Sequence, residues 1–190
     1  HAAGSTLDHR MAGTRPVSQQ IARMLRENAP AWVQRLLTAA GRVADAQGVP
    51  VYLVGGMVRD LLLGRVNEDV DLVVEGDGIA FASALADALD GRHHPHAPFL
   101  TAVVSLPDGL RVDVASARTE FYRTPAALPE VITSLIRQDL YRRDFTINSL
   151  AIALSGDRYG ELVDFFGGRK DIDRKEIRVL HSLSFIDDPT

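Results

Sequence analysis

A chain of 190 residues, 46% hydrophobic and 24% charged, has the material for one core of ordinary size. It has no cysteine, which excludes disulfides and thiolate zinc sites, and its apolar runs are too short to span a membrane. A net charge of −4 argues against a domain that grips nucleic acid over one broad basic face.

The opening stretch HAAGSTLDHRMAGTRP lacks the apolar centre of a signal peptide, so residues 1–18 read as a tail. A cytoplasmic location is expected. Residues 19–48 read as N-terminal helices and linker, and 49–190 as the main domain. The first helix is expected over 21–28, stopped by Pro30. A longer amphipathic helix follows over 31–47, with Val33, Leu36, Leu37, Ala40 and Val43 near helical spacing, and Gly48 and Pro50 end it. The apolar run 51–54 reads as a buried strand, 57–63 as a helix closed by Gly64, 70–75 as a strand and 77–89 as an alanine-rich helix. Residues 91–98, with three histidines, read as a loop. Two β-rich runs, 100–106 and 110–115, flank the turn Pro107-Asp108-Gly109 and predict a hairpin. Residues 118–129 read as irregular and mobile, 133–141 and 146–154 as helical, 162–166 as a short strand and 171–179 as a terminal helical segment. The order predicts an α+β fold, a mixed sheet flanked by helices.

The chemistry concentrates in LVGGMVRDLLLGRVNEDVDLVVEG. Residues two apart on a strand share a face, so Asp69 and Asp71 stand side by side. Two such carboxylates repel unless a cation lies between them, and hard oxygen ligands suit Mg²⁺. A solvated acidic strand end, with Glu68 beside it, is the plainer reading. Gly55 and Gly56 let backbone N–H groups approach a phosphate, and Arg59 falls in the next turn; an ordinary tight turn uses the same residues. Asp113 sits mid-strand among apolar neighbours, which is costly unless it is ion-paired, as with Arg118, or metal-linked. If the hairpin pairs beside the Asp-x-Asp strand, all three acids converge. Arg142, Arg143, Asp144 and Asn148 are polar groups able to hold a triphosphate or a base edge, or to cap a helix. His93, His94 and His96 suggest a metal at first sight, but a polar loop around Pro95 explains them and no fourth ligand is apparent.

Five blocks, LVGGMVRDLLLGR, DVDLVVEGDG, RVDVASARTEFY, DLYRRDFTINSLA and LVDFFGGRKDI, together resemble the head domain of class II tRNA nucleotidyltransferases. That group holds the bacterial CCA-adding enzymes, their CC-adding and A-adding relatives and bacterial poly(A) polymerases. The match runs in order over about 51–190. The resemblance implies a polymerase β-type nucleotidyltransferase head over 49–190. It implies that Gly55, Gly56 and Arg59 hold the triphosphate and that Asp69, Asp71 and Asp113 are catalytic and bind Mg²⁺. It implies that Arg143, Asp144 and Asn148 contact the nucleotide, and that 120–129 is the loop that helps choose between CTP and ATP. It also implies that the neck, body and tail, with the base-reading residues and most tRNA contacts, lie outside this chain.

The implied activity is template-independent addition of CMP or AMP, from CTP or ATP, to the tRNA 3′ end with release of pyrophosphate. Three other readings stay open on the residues alone: polyadenylation, transfer to a small molecule or protein, and an inactive nucleotide-binding fragment.

Overall fold

The computed structural model describes residues 15–121, 130–133, 135–143 and 145–180, with the backbone alone for 15–18, 118–121 and 130–133. Two helices lead, α1 (Arg15–Asn28) and α2 (Ala31–Gln47). They are followed by β1 (Val51–Val54), α3 (Gly56–Leu62), β2 (Val70–Val74) and α4 (Gly78–Ala88). Next come β3 (Arg92–His96), β4 (Thr101–Ser105) and β5 (Arg111–Ser116). A two-stranded pair, β6 (Arg118–Phe121) with β7 (Glu130–Thr133), stands apart from the main sheet. The chain continues through α5 (Ile136–Tyr141), β8 (Ala151–Ala153), β9 (Leu162–Val163) and α6 (Gly168–Arg174).

The main sheet has seven strands in the order β3-β4-β5-β2-β1-β8-β9. Neighbouring strands pair antiparallel except β2 and β5, which run parallel. This is the α+β mixed sheet that the sequence predicts.

Alternation along the central strands divides the core in two. Val51, Leu53, Leu72, Val74, Val112 and Val114 face one way, into a cluster with Ile21, Leu36, Leu37, Phe81 and Leu85. The N-terminal helices α1 and α2 are thus packed into the same core as the sheet. Tyr52, Val54, Val73, Ala151 and Ala153 face the other way, where Ile136 and Leu140 of α5 cover them. Asp71 and Asp113 occupy this second face.

Five expectations need correction. α1 begins at Arg15, six residues before Ile21; Pro16 does not forbid this, because a proline in the first helical turn gives up no hydrogen bond. The histidine segment is strand β3, paired antiparallel with β4, rather than a loop. It lies at the sheet edge, where Pro95 is tolerated and polar residues stay exposed, so it carries no apolar alternation to read. Arg118–Phe121 and Glu130–Thr133 form a hairpin pair where 118–129 reads as irregular and Thr133 as helical; Val131-Ile132-Thr133 is a β-branched run. Residues 146–154 are not a helix. A short 3₁₀ turn, Thr146–Asn148, leads into β8, which pairs with β1. Alanine's helix propensity and a short apolar run misdirect the reading here, because a fully buried strand and a buried helix look alike in sequence. At the C-terminal end the helix is α6, Gly168–Arg174, rather than 171–179. The tail at 1–14 and the segment 122–129 lie outside the described residues.

Candidate active site

The site begins where β1 stops. Gly55 has φ +81° and ψ −154°, a conformation open to glycine alone, and a Cβ there would stand 3.2 Å from Asp71 Oδ2. The backbone therefore turns directly against the Asp71 carboxylate. Arg59, one turn into α3, folds back so that its Nη2 lies 3.2 Å from the point where a Cβ on Gly56 would sit.

Strand register sets the acids. Val54 pairs with Asp71, and Asp71 lies beside Asp113 across the parallel β2–β5 pair. The two carboxyls are close enough to share a hydrogen bond. Burial pushes the Asp71 carboxyl up to about 6; the Asp113 charge adds to this, Arg143 opposes it, and Asp69 raises it further. Asp69 stands one residue before β2, exposed, with its backbone N–H donating to Asn67 Oδ1 at 2.8 Å. Asp71, Asp113, Arg142 and Arg143 line one cavity of about 330 Å³.

Arg143 follows α5, whose start is tied to β2 by Ile136 N–H donating to Glu75 Oε1 at 3.3 Å. Its guanidinium is held by Asp139, Nη2 to Oδ2 at 3.6 Å, while Arg142 Nε lies 3.4 Å from Asp139 Oδ1. Burial pulls Arg143 below its usual value; Asp139 counteracts this and Arg142 reinforces it. The buried Arg143 Nε has no hydrogen-bond partner among the described residues, an N–H suited to a ligand oxygen. Asp144 lies outside the described residues.

Asn148 joins the two halves of the site. Its Oδ1 accepts from Arg59 Nη1 at 2.9 Å; Arg59 Nε donates to Asp60 Oδ1 at 3.0 Å, and Asn67 Nδ2 donates to Asp60 Oδ2 at 2.8 Å. One hydrogen-bonded chain therefore runs from Asn148 through Arg59, Asp60 and Asn67 to the Asp69 backbone. The turn carrying Asn148 is held from behind. Thr146 Oγ1 donates to the buried Asp171 of α6, which also accepts from Arg178 Nε at 3.1 Å. Gly168 backs directly onto Thr146, where a Cβ would fall 2.2 Å from the carbonyl oxygen.

Sequence reasoning missed Asp60, Asn67 and Asp139. The spacing of Asp139 to Arg142 and Arg143, three and four residues on a helix, is a signal that could have found it. If the site holds the nucleotide that the resemblance implies, Asn67→Ala is expected to raise its KM several-fold, about 1 kcal/mol for a lost charge-linked hydrogen bond, with little change in thermal stability. Steady-state kinetics beside a melting curve check this, and an unchanged KM would show the chain of bonds to be idle.

The donor set fits a hard divalent cation: two adjacent carboxylates, Asp71 half-buried and Asp113 exposed, with the Asp113 charge disfavouring that of Asp71. Among the described residues no three histidine, aspartate or glutamate side chains already form a metal cage. Mg²⁺ characteristically takes one or two carboxylates and completes its shell with water and phosphate oxygens. A second cavity of about 350 Å³, near Asp45, Tyr52 and Arg158, lies away from these acids, and its Arg158 is paired with Glu161 at 3.0 Å.

These features define a class: an α+β head domain in which a Gly-Gly turn leaves one strand against a carboxylate pair on the next two. The sequence matches the family described as Poly A polymerase head domain over residues 51–178, and the chain belongs to that family. It is 51% identical over 172 residues to the A-adding tRNA nucleotidyltransferase of Geobacter sulfurreducens, a match covering 90% of this chain and 20% of that protein. A CCA-adding enzyme in its apo form II superposes with TM-score 0.82 at 46% identity, over 89% of this chain and 40% of that one. The Thermotoga maritima CCA-adding enzyme complexed with tRNA superposes with TM-score 0.78 at 44% identity, over 89% of this chain and 38% of that one. The chain thus spans between a fifth and two fifths of the length of these relatives. The resemblance carried by the five sequence blocks is borne out. Among the described residues, no helix is long and apolar enough to cross a membrane.

Proposed function

We propose that this chain is the nucleotide-transferring head of a tRNA nucleotidyltransferase, joining AMP or CMP to the RNA 3′ end and releasing pyrophosphate. The observation that carries the reading is the Asp71–Asp113 pair set beside the Gly55 turn on one sheet face. The relatives named A-adding and CCA-adding support the tRNA end as acceptor and ATP or CTP as donor.

In this reaction the RNA 3′-hydroxyl gives up its proton to solvent, its oxygen bonds to the α-phosphorus, the α–β phosphoanhydride bond breaks, and pyrophosphate leaves with the electron pair. Asp71 and Asp113, with Asp69, are the residues that would hold Mg²⁺. When bound, Mg²⁺ lowers the pKa of the attacking hydroxyl and neutralises the triphosphate. The chain's own contribution is position and charge. Gly55 and Gly56 offer backbone N–H groups and Arg59 a guanidinium to the triphosphate. Arg143 offers its buried Nε–H. Asn148, with its carbonyl oxygen engaged by Arg59, offers its amide N–H to the sugar. Asp144 joins this group by the resemblance.

The test is incubation of the intact protein carrying this chain with Mg²⁺, labelled ATP or CTP, and tRNA lacking its 3′-terminal nucleotides. Extension by one to three nucleotides with release of pyrophosphate is expected, and the nucleotide accepted identifies the reaction. A long adenylate ladder would replace this reading with polyadenylation; label transferred only to a small molecule or protein would overturn it.

A further inference from the structure

Strand β3 carries the site further across the sheet than the acids themselves. Register continues from Asp71 to Asp113, from Asp113 to Val103, and from Val103 to His94. The next row on the same face passes from Val73 to Ala115 to Thr101 to His96. His94 and His96 therefore share the face of the carboxylates, and both line the same 330 Å³ cavity. His96 stacks on Phe99, with ring centroids 4.8 Å apart and planes 12° from parallel. Both rings are exposed, Phe99 by 47%.

In-line transfer assigns this rim a role. The attacking and leaving oxygens lie on opposite sides of the transferred phosphorus. The Gly55–Gly56 turn extends from β1, which flanks β2 on the side away from β5. A triphosphate held there sends pyrophosphate out on the β1 side, so the attacking hydroxyl must approach from the β4–β3 side. We propose that the His96–Phe99 pair, with His94 beside it, is a stacking platform for the 3′-terminal nucleotide of the acceptor RNA. The proposal rests on the nucleotidyltransferase reading above. Stacking suits an enzyme whose terminal base changes as it works, since every base has a π-face and the contact tolerates sequence. It also suits a chain of net charge −4, which must grip RNA locally. Arg142, lining the same cavity, supplies a cation for the terminal phosphate.

The experiment compares the intact protein with its His96→Ala, Phe99→Ala and Phe99→Trp forms, titrating RNA and nucleotide separately. Both alanine forms should raise the KM for RNA by about tenfold, the worth of one stacked base, and leave the nucleotide KM unchanged. Phe99→Trp should restore the RNA KM. An RNA ending in 4-thiouridine should crosslink within residues 94–99. A rise in nucleotide KM instead, unchanged KM values in both alanine forms, or crosslinks confined elsewhere overturn the platform while leaving the reaction standing. A wild-type protein that transfers nothing to RNA overturns both.

Discussion

Asp71→Asn is expected to abolish nucleotide transfer and, in the same protein, to raise stability when no metal is present. The activity loss follows from removing the best-placed carboxylate of the site; several kcal/mol of charge stabilisation corresponds to about a thousandfold or more in rate. The stability gain follows from the charge that Asp71 must carry above its pKa. Burial and then Asp113 lift that pKa to about 6 in the folded protein, against about 3.9 in an unfolded chain. The folded state therefore holds the proton more tightly. Stability falls as pH rises from about 4 through 6, and the full penalty persists above that. Two pKa units bound the penalty at about 3 kcal/mol, and partial exposure reduces it to about 1–2 kcal/mol. Asparagine lifts the penalty, so the melting temperature should rise at pH 8 and stay level at pH 4. Mg²⁺ should stabilise the natural protein more than the variant. Transfer at the natural rate by Asp71→Asn would sink the assignment; loss of transfer together with a lower melting temperature at pH 8 would mean that the residue is structural.

The second large effect belongs to Asp139. Its side chain is fully buried between Arg142 and Arg143. Breaking a buried ion pair by deleting one partner leaves a charge with no compensation and costs about 3–5 kcal/mol. Asp139→Leu is expected to lose stability on that scale, roughly 10 °C in melting temperature for a domain of this size. Because Arg143 loses its orienting carboxylate, the nucleotide KM should rise as well. Asp139→Asn keeps the shape and a hydrogen-bond acceptor, and should lose less on both counts. A leucine variant that melts like the natural protein would show that solvent already neutralises the two arginines.

The parts of the fold legible in sequence are those with one dominant signal. Ala31–Gln47 and Val51–Val54 fall where they are expected, one from helical periodicity closed by Gly48 and Pro50, the other from an unbroken apolar run. The Pro107-Asp108-Gly109 hairpin was likewise readable, because turn chemistry and alternation agree there; its pairing beside the Asp-x-Asp strand stood only as a condition, which the β2–β5 ladder meets. β8 was hidden, since nothing within Ala151-Ile152-Ala153 announces the slot waiting beside β1. β3 was hidden for the opposite reason: an exposed edge strand needs no apolar residue, and Pro95 spoke against it. In the site, the residues proposed to carry the chemistry were legible as motifs. Asp60 and Asn67, which hold Arg59 and the Asp69 backbone, were not, because folding decides which polar groups they meet; Asp139 left a helical spacing to Arg142 and Arg143 but nothing that marked it as buried.

The one parallel pairing among the described strands of the main sheet also says how this domain can vary. Asp71 and Asp113 are 42 positions apart in sequence, yet they meet through ladder register rather than through the length of the chain between them. Lengthening the Pro107–Gly109 turn or the connection after α4 would leave the two acids facing each other. A one-residue slip of β5 against β2 would send Asp113 into the apolar layer and bring Val112 or Val114 out in its place. The sheet thus acts as a ruler for the acids, and insertions that spare its register are the ones this site can absorb.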